Sequence, residues 1–302
     1  MPSAHKTVSL FLTLGLVASC NMVKFTVDTT ADALAVAAPS LNMESDVQLA
    51  REAAPAQLKT VEGFLLASPN NTKLLEVLAQ GYCEYTFGFL EPEFERLTAK
   101  GKYERADALA KRATRLYLRC MNYGLRLLGG TWEKSLYGDT AGFEKQVKGA
   151  GGDQVTGMFY TALGLASAIN LNRDDIEMIA YLPKVTLLFE RVLTLNEKFY
   201  NGGAHMALGM LHTAQGAALG GNPQKGKAHF EKAIAITQGK FLVTRVLLAK
   251  AYGVITHDVE FFHKTLADVL TTSPAIWPEQ RLANELAHEL ARFYLSQEKE
   301  WF

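Results

Sequence analysis

Cysteine is scarce in this chain: 302 residues contain three, at Cys20, Cys83 and Cys120. That excludes a disulfide-stapled scaffold and leaves too few thiolates for an iron–sulfur or structural zinc site. Charge of one sign is also missing, since Lys+Arg and Asp+Glu both stand at 31. A nucleic-acid binder would normally show a basic excess or stripe. No segment alternates apolar and polar residues long enough to suggest a sheet. No Gly-rich phosphate loop, His-Glu-x-x-His, Cys-x-x-Cys or nucleophile elbow is present, so neither an enzyme nor a bound cofactor is expected. What the chain does have is 48% hydrophobic and 21% charged residues, the balance of a globular protein with a sizeable core.

The N-terminus reads Met-Pro-Ser-Ala-His-Lys, followed by an apolar run from Val8 to Ala18 and then Ser19-Cys20. A basic start, a short apolar run and small residues before a break form a secretory signal. A transmembrane helix would need about 20 apolar residues. Leu16-Val17-Ala18-Ser19-Cys20 resembles the bacterial lipobox, whose Cys receives a diacylglyceryl group. A plain secretory signal with an incidental Cys is the alternative. The lipobox reading divides the chain into a signal peptide (1–19), a lipidated tether (20–46) and a helical domain (47–302). Alkyl chains at Cys20 would bury enough CH2 groups, at about 0.8 kcal/mol each, for stable anchoring. Asn21, rather than Asp, favours the periplasmic side of the outer membrane. Cys83 and Cys120 would then face an oxidising compartment. They lie in segments that could form an antiparallel helix pair. Two buried free thiols are expected, with a disulfide as the alternative.

Beyond Met43 the apolar period is helical, and Gly and Pro cluster between periodic segments, as at Ser68-Pro69-Asn70, Gly129-Gly130 and Gly220-Gly221-Asn222-Pro223. Four helices carry Leu, a small residue, and a third residue on the same face: Leu78-Ala79…Tyr82, Leu163-Gly164…Ser167, Leu208-Gly209…His212 and Leu248-Ala249…Tyr252. In a tetratricopeptide unit the small residue of the first helix lets its partner approach closely. Phe230 and Ala233 match the aromatic and small positions of a second helix. The small positions are separated by 85, 45 and 40 residues, whereas a standard unit spans about 34. The units therefore carry insertions, such as Gly216 to Asn222. The fold class expected is all-α: a tetratricopeptide-like repeat array with insertions, ending in a capping helix over Arg281 to Leu295.

Several residue types could carry chemistry. Tyr82, Tyr85 and Phe89 run down one side of a helix while Phe87 points elsewhere. They form either core or one wall of an apolar cleft. Gly202-Gly203 reads as a helix-entry turn needing positive φ, or as a close backbone approach to a ligand. His205 and His212 share a helical face, but no carboxylate or third His lies at ligand spacing, so no metal site is expected. Asp174-Asp175-x-Glu177 reads as a helix N-terminus and Pro183 as a first-turn proline. The charges of Glu91-Pro92-Glu93-Phe94-Glu95-Arg96 read as a solvated helix face.

Blocks spread in order along the mature chain resemble the TatT lipoproteins, which accompany tripartite ATP-independent periplasmic (TRAP) transporters. They include Gly81-Tyr82-Cys83-Glu84-Tyr85, the helix Tyr103 to Leu128, Leu182-Pro183-Lys184, Asn201-Gly202-Gly203-Ala204-His205, Gly239-Lys240-Phe241 and Arg281-Leu282-Ala283-Asn284. Phe159-Tyr160 and His212 depart from the pattern, which places Trp-dependent ligand contacts in doubt. The resemblance implies a periplasm-facing lipoprotein with degenerate repeats, able to form a ring-like homotrimer. It also implies partnership with a TRAP-type substrate-binding protein and a small-molecule ligand passed between them. Tyr82, Tyr85, Phe89, Gly202, Gly203, His205, Lys240, Arg281 and Asn284 are the candidate ligand or partner contacts. The competing reading is a tetratricopeptide lipoprotein scaffold for envelope assembly.

Overall fold

The computed structural model describes residues 22–214 and 221–302. The signal peptide, Cys20 and the insertion at 216–220 fall outside the described residues. Among those described, helices dominate and no strand occurs. The elements are α1 (22–37), α2 (Val47–Ala67), α3 (Thr72–Tyr85), α4 (Glu91–Ala99), α5 (Tyr103–Leu128), α6 (Gly130–Tyr137) and α7 (Thr140–Gly149). They continue with α8 (Val155–Leu171), α9 (Leu182–Asn196), α10 (Phe199–Ala214), α11 (Pro223–Ile236), α12 (Leu242–Leu248), α13 (Val259–Thr271) and α14 (Arg281–Ser296). Single helical turns fill several of the connections.

Local chemistry sets most boundaries. Asp46 opens α2 by accepting from the backbone N–H groups of Gln48 and Leu49, both at 3.0 Å. Asn71 caps α3 through Leu74 N at 3.1 Å. Asp175 caps the short helix Ile176–Ile179, and Pro183 sits in the first turn of α9. In each case the side chain or ring removes an N–H that the first helical turn would otherwise leave unpaired. Gly129, at φ 95°, ends α5 in a conformation that a Cβ would oppose. The buried residues of α2, Ala50, Ala54, Leu58, Val61 and Leu65, fall at helical spacing on one stripe. By contrast α8 is buried almost all round and forms the centre of the bundle.

The small residues of the Leu-small pairs permit close helix approaches. A Cβ on Gly209 would meet the Phe230 ring at 2.8 Å, so α10 and α11 pack closely at this point. Gly164 behaves differently, because its backbone abuts α5, three helices earlier in the chain, where a Cβ would fall 2.5 Å from Tyr117 O. Gly124 on α5 meets Thr161 on α8 in the same way, 2.6 Å from its backbone N. Two helices therefore cross with backbone against backbone.

Three expectations change. Segment 20–46 is expected to be a tether, yet residues 22–37 are helical and docked. Val27 and Ala31 are buried, and Asp28 accepts from Ser68 Oγ at 2.6 Å and Asn71 Nδ2 at 2.8 Å. The polar residues of the α2–α3 turn supply that contact, which local composition could not reveal. Cys83 and Cys120, expected as free thiols, form a disulfide with Cα atoms 5.5 Å apart, because α3 and α5 pack side by side. Lastly, α14 does more than cap the array. Arg96 of α4 donates to Glu289 of α14 at 3.3 Å, and Leu286 of α14 lies against Gly88. The last helix thus returns to the first third of the chain and closes the array around an interior space.

Candidate functional site

That interior space is a partly open cavity of about 670 Å³, within the range of small-molecule sites. Its walls come from α2, α3, α4, α5, α8, α10, α12 and α14, so both halves of the chain contribute. Most of the lining is apolar or aromatic, including Leu58, Phe87, Phe159, Met206, Met210 and Leu286. The cavity lies where two hydrophobic cores meet, and Phe87 packs against both.

Two π turns shape it, Thr86–Leu90 after α3 and Ala249–Gly253 after α12. Such turns insert one residue into the helical ladder and recur at functional sites. The first shifts the helical register between Tyr85 and α4, so Tyr85, Phe87 and Phe89 all line the cavity. That corrects the expectation that Phe87 points elsewhere, which assumed an unbroken α-helix. Buried Thr86 donates to Tyr82 O at 2.7 Å. The second turn brings Lys250 to the cavity wall.

Charge is also present inside. Glu91 and Glu95, read from sequence as a solvated face, line the cavity with Glu84. They project inward because Pro92 and Leu97 seat α4 against the core, leaving Glu93 and Arg96 for the outer side. The Lys250 ammonium donates to Glu95 and, at 3.2 Å, to the Tyr294 hydroxyl. Tyr117 donates to Glu91. Glu84 accepts from Tyr200 Oη at 2.6 Å and from Gln80 Nε2 at 2.8 Å. Desolvation pushes Glu91 up to about 7, opposed by the Tyr117 hydrogen bond and assisted by the nearby Glu95 charge. Glu84 is raised for the same first reason. These carboxyls escaped the sequence reading, although Glu91 and Glu95 stand four residues apart, a spacing that shares one helical face.

Opposite them, Tyr200, Asn201 and Gly202 all adopt left-handed backbone, with φ of 49°, 59° and 76°. For a Tyr that conformation is costly, about 1–3 kcal/mol, and the surroundings hold it in place. Its hydroxyl reaches Glu84, and its ring packs 5.2 Å from that of Phe159. The two glycines therefore serve different needs. Gly202 supplies positive φ away from the cavity, whereas Gly203 lines it and leaves room for Phe159, whose ring a Cβ would approach to 2.7 Å.

The other candidate residues lie elsewhere. Tyr82 turns away from the cavity to donate to Glu62 at 2.8 Å and stack on Tyr123. His205 is buried behind the wall, with Nε2 2.9 Å from Glu197 and Nδ1 2.8 Å from His229. His212 stacks on the same His229 ring at 5.6 Å. No cluster of three or more His, Cys, Asp or Glu side chains among the described residues has metal-binding geometry. Lys240 is exposed, in a separate shallow surface pocket beside Trp277. Arg281 pairs with Glu285 on its own helix. Asn284, fully buried, accepts from Leu242 N at 2.9 Å and donates to the carbonyls of Lys240 and Pro274. It clips three chain segments together.

Over residues 43–302 the chain matches the TRAP transporter T-component family. It belongs to that family. The match spans every wall of the cavity except Ala38, Leu41 and Asn42. The chain is also 21% identical over 263 residues to an uncharacterized protein of Treponema pallidum (strain Nichols), covering 86% of this chain and 81% of that one. Membership of a T-component family associates the chain with a TRAP transport system. Among the described residues no helix is long and apolar enough to cross a membrane.

Proposed function

We propose that this T-component is a lipid-anchored, periplasm-facing accessory that docks the substrate-binding protein of its TRAP system and shelters or relays that protein's small-molecule ligand. The observation that carries the proposal is the apolar interior cavity of about 670 Å³, enclosed by a chain of this family. A cavity of that volume with a few convergent polar groups suits one small molecule. The Cys83–Cys120 bridge supports an oxidising compartment. Anchoring through Cys20 and residence at the outer membrane rest on the lipobox and Asn21. A homotrimer rests on family resemblance.

Light scattering on residues 21–302, alone and mixed with the binding protein encoded by the adjacent gene, tests the docking step. A trimer that captures the binding protein is expected. A monomer indifferent to it would defeat the transport reading and favour the envelope scaffold.

A further inference from the structure

The cavity's polar lining has a definite bias. Its acidic and basic members are Glu84, Glu91, Glu95 and Asp174 against Lys250 and Arg173. Asp174 and Arg173 are exposed, and Arg173 is engaged by Asn170. The interior thus holds three carboxyls and one ammonium. That ammonium already donates to Glu95. The hydroxyl protons of Tyr117 and Tyr200 are committed to Glu91 and Glu84, as is one amide proton of Gln80 to Glu84. A carboxylate has two oxygens and about four lone-pair sites, so each of these carboxyls keeps acceptor capacity beyond the hydrogen bonds it receives. An entering anion would find the Lys250 ammonium already paired with Glu95 and would add like charge in a poorly solvated space. An entering donor would meet unfilled acceptors.

Resting on the sheltered-ligand reading above, we infer that the cavity selects an apolar molecule whose polar end donates hydrogen bonds, an amine before an alcohol, seated against Glu91 and Glu95, and that it discriminates against free carboxylates. The aromatic and Met-rich remainder of the lining takes the apolar body. The raised protonation range of Glu91 adds to the preference, because a cation lets that carboxyl ionise and so gains a partner. The discrimination is negative as well as positive: Glu95 occupies the one interior cation that an anionic headgroup would need.

The test uses residues 21–302 and 1-N-phenylnaphthylamine, an apolar fluorophore with a single N–H, displaced at pH 8 by decylamine, decanol or decanoate below their micellar concentrations. Decylamine should displace the probe at a concentration at least tenfold below that of decanoate, with decanol between. Glu95→Gln should release Lys250 and raise the apparent affinity for decanoate at least fivefold. Glu91→Gln should weaken decylamine at least threefold more than it weakens decanol. Circular-dichroism melts check that each variant is folded, and the wild-type ranking decides the matter if either variant is not. Decanoate equal to or better than decylamine on the wild-type protein overturns the headgroup assignment while leaving a ligand cavity in place. Absence of probe binding overturns both the assignment and the sheltered-ligand reading. Neither result bears on whether the chain docks its binding protein.

Discussion

Replacing Cys83 and Cys120 together by Ala removes the cross-link between α3 and α5 without leaving a reactive thiol. The bridge spans 37 residues of chain. Loop-closure entropy for that length amounts to about 4 kcal/mol at 25 °C, because the unfolded chain regains the freedom that the cross-link denied it. Both sulfurs are buried, so truncation to Ala adds a small packing loss in the same direction. With an unfolding entropy of about 2.1 cal/mol/K per residue, the double variant should melt roughly 6–10 °C below the oxidised wild type. The assay is a thermal melt followed by circular dichroism, paired with intact-mass analysis of denatured protein alkylated before and after reduction. Alkylation of the native protein should leave both thiols unlabelled until the bridge is reduced under denaturing conditions. A double variant melting within about 2 °C of wild type would refute the entropic argument. Two alkylatable thiols in the unreduced, denatured protein would refute the bridge itself.

Glu91→Gln should change the pH profile of stability. The Glu91 pKa is raised in the folded state to about 7 from 4.5, so its favourable contribution is complete below pH 4.5 and lost as pH rises through 7. The variant should gain in melting temperature over wild type at pH 8 and show little gain at pH 4.5. Equal differences at the two values would show that the carboxyl is not desolvated. His229 acts in the opposite sense. Desolvation, and then the neighbouring His205 and His212, lower it from 6.5 to about 4. Its contribution is present above pH 6.5 and lost as pH falls through 4. His229→Gln should flatten that acid limb in a melt series from pH 7 to pH 4, and an unchanged limb would remove His229 as its source. Gly164→Ala places a methyl 2.5 Å from Tyr117 O and 2.6 Å from Met121 N, backbone atoms that cannot step aside. Overpacking of this kind costs about 1–3 kcal/mol, and a denaturation midpoint equal to wild type would contradict the close crossing. Asn284→Ala strips the buried Leu242 N–H of its acceptor. It should cost about 1–3 kcal/mol, read as faster amide exchange at Leu242 and a lower urea midpoint.

Part of the site was legible before any fold was known. The Leu-small pairs located Gly164 and Gly209, which allow the close approaches seen at Tyr117 and Phe230. Tyr85, Phe89 and Gly203 were picked out by residue type, and all three line the cavity. The charged members were missed. Glu91 and Glu95 sit in an alternating acidic stretch that resembles any solvated face, and only the seating of α4 through Pro92 and Leu97, with Lys250 brought against Glu95, turns that face inward. Tyr82 and Tyr85 stand three residues apart on one regular helix, about 60° around its axis, and that offset is enough for Tyr82 to meet Glu62 and Tyr123 while Tyr85 lines the cavity.

Helical class and most helix boundaries were determined by the sequence alone, because they depend on interactions within a few residues: a 3.6-residue apolar period, a capping Asn or Asp, a Pro in a first turn. The interior cavity, the Cys83–Cys120 bridge and the docked α1 were decided only by tertiary structure. Each depends on residues far apart in the chain, such as Glu84 with Tyr200, Glu95 with Lys250 and Asp28 with Ser68. Their meeting is set by how whole helices pack, and no local pattern encodes it.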